Sequence, residues 1–113
     1  KDKKVSREEA KKRIIKFLGK SEPYMVSYVN QYDAIYWYKL FREKNNPCYW
    51  IPIDFASLLF FIGQDPAVLS EKRKSFLRKL GINPNKYRRH HALDDAKLLE
   101  EIYIRFLRDK NKI

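Results

Sequence analysis

The sequence predicts an α/β domain that is rich in helices and poor in strands. Helical periodicity and capping signals mark residues 6–18, 33–42, 54–63, 70–80 and 92–107. Only residues 24–29 and 48–53 have the short, apolar, aromatic and β-branched composition of strands. Two short strands make a poor independent sheet, so we expect that part of the sheet comes from elsewhere.

The first helix has clear signals at both of its ends. Ser6 precedes Glu9 by three positions, which is the spacing of a capping box, and Gly19 follows the last apolar residue. Pro23 then introduces the first strand, and the turn-forming residues 45–47 lead from the second helix to the second strand.

The second half of the chain is expected to be helical. Asp54 has the position of a helix cap, and the apolar residues 58–61 that follow it are expected in the core. A very basic helix closes at Gly81, and a loop over residues 83–91 connects it to the long final helix.

Length and charge restrict the class of protein. The chain has 113 residues, and we expect a single domain over residues 1–113. Its net charge of +11 suits a polyanionic partner, either nucleic acid or an anionic membrane surface. A Lys-rich surface that only confers solubility is the alternative explanation.

The cysteine content and the apolar segments indicate a location. Cys48 is the single cysteine, so no intrachain disulfide can form, and a reducing cytoplasm is expected. The longest apolar stretch, residues 50–62, contains Pro52 and Asp54. It falls short of the roughly 20 residues of a membrane helix, so no membrane contact is predicted.

Residues 88–96, with the sequence RRHHALDDA, contain both histidines of the chain and two carboxylates. Histidine exchanges a proton near neutral pH, and a carboxylate binds a hard divalent cation. Together these groups are what a metal-dependent phosphodiester hydrolase needs in order to activate water.

Helical spacing distinguishes the two aspartates. Asp95 is in phase with the apolar residues Leu99, Ile102 and Phe106, so it is predicted at the tip of a buried stripe. Asp94 is predicted on a solvated face, in phase with the charged residues Lys97, Glu101, Arg105 and Arg108. The alternative is that either aspartate merely caps the final helix.

The segment from His90 to Ala96 resembles the third motif of the DnaQ-like (DEDDh) 3′–5′ exonucleases, H-x-A-L-x-D-A. The resemblance selects His90 as the general base that acts on water and Asp95 as a metal ligand. His91 falls on a variable position of the motif and is expected to contact the loop or the substrate.

A second segment supports this resemblance. Residues 24–33 are similar to the family's second motif, in which an apolar strand leads through a short loop to Phe-Asp. Tyr32-Asp33 corresponds to that pair, and the resemblance implies that Asp33 is a metal ligand. Tyr28 and Val29 depart from the His-Asn that is frequent there. Asp33 as an ordinary helix N-cap is the alternative.

The family's first motif, Asp-x-Glu, does not occur in this sequence. The resemblance therefore implies the C-terminal part of an RNase H-like exonuclease domain, without its N-terminal three-stranded meander. A fragment of a longer enzyme is the preferred explanation. A second chain that supplies Asp-x-Glu and a degenerate relative that binds nucleic acid without cutting it are the alternatives.

The resemblance implies hydrolysis of phosphodiester bonds at the 3′ ends of DNA or RNA, with two Mg²⁺ or Mn²⁺ ions. Cations and one aromatic residue near the motifs are candidates for contact with the nucleic acid: Lys86, Arg88, Arg89, His91 and Tyr32. A non-catalytic nucleic-acid-binding module is the alternative function, and a basic protein-interaction domain with an accidental motif is a third.

Overall fold

The computed structural model describes residues 4–42 and 45–108, which form six helices and two short strands. No helix among these residues is long and apolar enough to cross a membrane. The chain divides into two compact units, Lys1–Phe55 and Ala56–Ile113, and each is described by itself. The expectation of one domain over residues 1–113 stays a prediction.

The first unit contains a helix and a parallel β-α-β arrangement. Its elements, in chain order, are α1 (Arg7–Leu18), β1 (Val26–Ser27), α2 (Asn30–Leu40) and β2 (Ile53–Asp54). In the sheet Val26 pairs with Ile53, and Ser27 pairs with Asp54. Parallel strands joined by a helix are the basic unit of an α/β domain.

Both strands are shorter than predicted, although the chain remains extended beside them. The Tyr49 N–H donates to the Pro23 carbonyl at 2.8 Å, and the Ile53 N–H donates to the Met25 carbonyl at 2.8 Å. The first of these bonds lies outside the paired residues Val26–Ser27 and Ile53–Asp54.

Helix α2 begins at Asn30, three residues before the predicted start at Asp33. Val29, in the left-handed conformation with φ 56°, precedes it and makes no side-chain cap. The Asn30 N–H instead donates to Asp54 Oδ1 at 3.2 Å, so a residue of β2 satisfies one of the free donors at the helix start. The aromatic core of this unit includes Phe41 and Phe55, both fully buried.

Helix α1 follows its sequence signals closely. Ser6 Oγ accepts the Glu9 N–H at 3.1 Å, and Gly19 ends the helix in the left-handed region at φ 61°. Its apolar side, however, has no buried residue, and Phe17 is 88% exposed. The amphipathic pattern therefore predicts the helix correctly, but burial of its apolar side chains contributes little to its stability.

The second unit begins within α3 (Phe55–Phe61) and continues through α4 (Val68–Glu71), α5 (Arg73–Lys79) and α6 (Ala92–Arg108). The predicted basic helix over residues 70–80 is thus two short helices, divided at Lys72. Helix α6 matches its predicted range to within one residue. Of the apolar residues 58–61, Leu59 is fully buried, whereas Phe60 and Phe61 are exposed, contrary to expectation.

The core of this unit packs α5 and the following turn with α6. Its buried residues include Leu77, Ile82, Leu98 and Ile102. Burial of one such side chain contributes about 1.5–3 kcal/mol. Arg105 Nη1 donates to the Leu80 carbonyl at 2.9 Å, so α6 also caps the end of α5. This packing holds the start of α6, where the candidate site lies.

Candidate active site

His91 caps the N-terminus of α6. Its carbonyl accepts the Asp95 N–H at 2.8 Å, and its ring Nδ1 lies 3.4 Å from the Asp94 nitrogen, which donates to it. The first is the opening backbone bond of the helix, and the second satisfies a donor that the first turn leaves without an intrahelical partner. The N-cap position therefore belongs to His91 and not to either aspartate, although both aspartates lie in the first turn, where a carboxylate complements the helix dipole.

Asp94 is held by Arg88 from the preceding loop. The Arg88 backbone N–H and Nε both donate to Asp94 Oδ2, at 2.8 and 2.9 Å. These hydrogen bonds lower the pKa of the Asp94 carboxyl from 3.8 to about 2. Arg88, a predicted contact to nucleic acid, thus also fastens the loop to α6.

The two aspartates lie on the opposite faces from those predicted. Asp94 is in phase with the buried residues Leu98 and Ile102, which follow it by four and eight positions. Its side chain is 15% exposed. Asp95 is exposed to solvent. The expectation that Asp95 occupies the tip of the buried stripe is wrong: Asp94 has that position, and it is paired with the exposed Arg88.

His90 and Asp95 are both accessible at the junction between the loop and α6. His90 is exposed and has a left-handed backbone at φ 60°, a conformation that few non-glycine residues adopt. Asp95 follows in the first turn of α6. Within the described part of the chain neither side chain makes a hydrogen bond, so both are available to water or a ligand.

Glu101 is the second anchor of the loop. Its carboxylate accepts the Tyr87 hydroxyl at 2.7 Å, Lys86 Nζ at 2.9 Å and Arg105 Nη2 at 2.9 Å. The hydrogen bonds from Tyr87 and Lys86 lower the pKa of the Glu101 carboxyl from 4.5 to about 2. The loop before His90 is therefore attached to α6 at two points, through Asp94 and Glu101.

The predicted nucleic-acid contacts in this loop differ in how far their charge is compensated. Lys86 pairs with Glu101 and lies 5.3 Å from the centre of the Tyr87 ring. Arg88 pairs with Asp94. Arg89 is exposed and forms no ion pair with the described residues. Its charge is thus the most available of the three to a phosphate.

The second-motif residues lie in the first unit, on α2. Tyr32 and Asp33 are both exposed in its first turn, and the N-cap position belongs to Val29. The alternative interpretation of Asp33 as an N-cap is therefore wrong. Desolvation raises the pKa of the Asp33 carboxyl above its ordinary value of 3.8.

Carboxylates suit Mg²⁺ or Mn²⁺ chemically. The described residues contain no group of three or more His, Cys, Asp or Glu side chains placed to hold a metal ion. Mg²⁺, however, usually keeps several waters and binds proteins through one or two carboxylates together with substrate phosphates. Asp95, exposed at the head of α6, fits that kind of partial coordination.

Sequence reasoning missed the residues that organise the loop. Asp94 and Glu101 were expected on a solvated face, yet their side chains are 15% and 17% exposed. The spacing of Asp94, Leu98 and Ile102 is compatible with an inward-facing Asp94, because residues four apart share one helical face, but Leu99 and Ile102 fit Asp95 equally well.

No protein-family model matches this sequence, and no curated protein or solved structure matches it significantly. The assignment of a function therefore depends on the motif residues and on the geometry of the loop and α6.

Proposed function

We propose that this chain carries the second and third motifs of an RNase H-like, DEDDh-type 3′–5′ exonuclease. One observation supports the proposal above the others. His90 and Asp95, five positions apart, are both exposed at a junction where Arg88, His91 and Asp94 are fixed by hydrogen bonds. A rigid loop that presents an unpaired histidine and carboxylate is suited to catalysis.

In the proposed reaction, water attacks the phosphorus of the last phosphodiester bond and the bond from phosphorus to the 3′-oxygen breaks. The shortened strand leaves with a protonated 3′-hydroxyl, and the terminal nucleotide is released as a nucleoside 5′-monophosphate. His90 takes the proton from that water, and its ring has no hydrogen bond within the described residues to compete. The left-handed backbone at His90 stores strain of a kind that is concentrated at functional sites.

The proposed ligands of Mg²⁺ or Mn²⁺ are Asp95 and Asp33, whose carboxylates are exposed and provide hard oxygen donors. The metal, when bound, supplies Lewis-acid stabilisation of charge on the phosphate oxygens. Because Asp-x-Glu is absent from the sequence, the proposal includes carboxylates from another segment or another chain.

Positive charge near the junction supports a nucleic-acid substrate. Arg89 directly precedes His90 and has no acidic partner among the described residues. The proposal assigns Arg89 to the phosphate next to the cleaved bond, with Lys86, Arg88 and His91 at the edge of the same surface. A cytoplasmic location is part of the proposal and agrees with the buried, free thiol of Cys48.

The proposal is tested with 5′-labelled single-stranded DNA and RNA in the presence of Mn²⁺. When the segment or chain that supplies the Asp-x-Glu carboxylates is present, we expect stepwise shortening from the 3′ end. His90→Ala should lower its rate by about 10²- to 10⁴-fold, because a general base typically contributes that factor. EDTA should abolish the shortening.

Glu100→Gln is the control for this experiment. Glu100 is exposed on α6 and has no proposed role in binding or catalysis, so the variant should fold and shorten the strands at close to the normal rate. Shortening that persists in His90→Ala, or that is lost equally in Glu100→Gln, would contradict the role of His90.

A non-catalytic nucleic-acid-binding module is the second candidate, and the net charge of +11 favours it. It predicts binding that weakens about tenfold or more between 50 and 200 mM salt, because each neutralised phosphate releases counterions. That binding would survive EDTA and His90→Ala, and no shortening would accompany it. The two candidates are thus separated by the same set of assays.

A further inference from the structure

Helix α2 exposes two tyrosines on one face. Tyr32 is 65% exposed and Tyr36 is 70% exposed, and they are four residues apart. Residues with this spacing lie one above the other, about 6 Å apart along the helix axis. Their rings therefore offer two neighbouring aromatic surfaces to a ligand outside the unit.

The other aromatic side chains of α2 are used within the first unit. Trp37 Nε1 donates to Asn46 Oδ1 at 2.8 Å, and the Trp37 ring lies 4.8 Å from the Phe41 ring. The Tyr38 hydroxyl donates to the Trp50 carbonyl at 3.1 Å. Tyr32 and Tyr36 make no such bonds to the described residues, so their exposure is not explained by the packing of this unit.

A cation extends the same face. Lys39 is three residues beyond Tyr36, and its Nζ lies 5.7 Å from the centre of the Tyr36 ring. Aromatic rings combined with cations are the usual means by which proteins bind unpaired nucleic acid, because every base can stack and every phosphate is negative. Aromatic side chains are also enriched at protein–protein interfaces, but lysine is depleted there, so Lys39 beside Tyr36 favours nucleic acid over a protein partner.

We infer that Tyr32, Tyr36 and Lys39 form a stacking platform for unpaired bases near a single-stranded 3′ end. The inference rests on the proposed function for the position of that end, since Asp33 adjoins Tyr32 in the same turn. Tyr32 and Tyr36 each stack on one base, and Lys39 binds the backbone phosphate. The substrate class is thus single-stranded nucleic acid rather than a closed duplex.

The test measures binding of the full chain to a 5′-fluorescein-labelled single strand, with 2-aminopurine near its 3′ end, in EDTA so that no cleavage occurs. We expect Tyr36→Ala and Tyr32→Ala each to weaken binding about 5- to 100-fold and to relieve quenching of the 2-aminopurine. Tyr36→Phe keeps the ring and should bind within about threefold of the original chain. The blunt duplex of the same sequence should bind more weakly than the single strand.

Two matched controls keep the inference falsifiable. Ile35→Ala removes an apolar side chain that is 55% exposed in the same helix, and Phe17→Ala removes an exposed aromatic ring from α1. Both should bind the strand normally. Equal losses in Ile35→Ala and Tyr36→Ala would indicate a general apolar docking surface and would overturn the inference.

Shortening in Mn²⁺ is measured on the same proteins, which separates the two proposals. If both tyrosine-to-alanine variants bind the strand normally and shorten it, the stacking platform is overturned and the proposed nuclease function is unaffected. Ring-dependent binding without any shortening would support the platform and count against the nuclease.

Discussion

His90 combines an exposed imidazole with a backbone conformation that is unfavourable for most residues. The left-handed region costs about 1–2 kcal/mol for a residue with a Cβ atom, although His tolerates it better than most. Such a cost persists only where the surroundings impose the conformation. Here the neighbours impose it, because Arg88 and His91 are both bonded to Asp94 on either side of the turn.

The strain at His90 is testable by a pair of substitutions. His90→Gly should have a free energy of unfolding about 1 kcal/mol higher than His90→Ala, because glycine adopts φ 60° without a Cβ clash. Urea denaturation measures this difference. The exposed helical Ala96 provides the control, since Ala96→Gly should be destabilising by about 1 kcal/mol. Equal stability of the two His90 variants would show that the turn is not strained.

The two anchoring carboxylates give the loop a defined pH dependence. The pKa values of Asp94 and Glu101 in the folded chain are about 2, below their ordinary values of 3.8 and 4.5. A carboxyl group whose pKa is depressed in the folded chain stabilises the fold fully at a pH above its ordinary pKa. This stabilisation is lost as the pH falls through the pKa of the folded chain. Loop attachment should therefore weaken between about pH 4.5 and pH 2.

Carboxyl ¹³C shifts measured against pH test this prediction at each residue. Asp94 and Glu101 should each titrate near pH 2, below their ordinary pKa values, and amide exchange in residues 83–91 should accelerate as the pH falls toward 2. Titration of either carboxyl near its ordinary pKa would contradict the hydrogen-bonded geometry.

At the scale of elements, α6 organises the second unit. One side of it carries the buried Leu98 and Ile102, and the edge of that side carries the anchors for the loop. Glu101 accepts hydrogen bonds from two loop residues and from Arg105, which in turn caps α5. A single carboxylate thus connects the loop, α6 and α5.

Glu101→Gln should destabilise the second unit by about 1–3 kcal/mol, because a neutral amide cannot replace charge-assisted bonds from three donors. Denaturation should show the loss, with faster amide exchange at Tyr87. The adjacent Glu100 is exposed, so Glu100→Gln should change stability by less than about 0.5 kcal/mol. A similar effect of both substitutions would mean that Glu101 is not an anchor.

Local signals predicted the elements better than the faces of those elements. The Ser6 cap, the Gly19 stop and the range of α6 depend on residues a few positions apart, and the structure has all three. Asp94 and Asp95 show the limit, because apolar residues at 98, 99 and 102 allow either aspartate to face inward. The hydrogen bond from Arg88 to Asp94 selects Asp94. Because Arg88 lies outside α6, the periodicity of the helix cannot predict this contact.

At the scale of the whole molecule, the chain combines much positive charge with little sheet. The described residues contain a sheet of two strands, each two residues long, and helices α1 and α2 have no buried residue. The sequence indicates this shortage through its two strand-like segments. It could not give the strand lengths, because these depend on pairing between segments far apart in the chain.

The proposed division of labour between two adjacent aspartates is the central claim, since Asp94 anchors the loop and Asp95 serves the reaction. The most direct test compares Asp94→Asn and Asp95→Asn for Mn²⁺-dependent shortening of a 5′-labelled strand and for urea stability. We predict that Asp95→Asn abolishes shortening at unchanged stability, whereas Asp94→Asn lowers stability and retains measurable shortening. Normal shortening by Asp95→Asn, or equal stability of Asp94→Asn and the original chain, would contradict the proposed roles of the two aspartates.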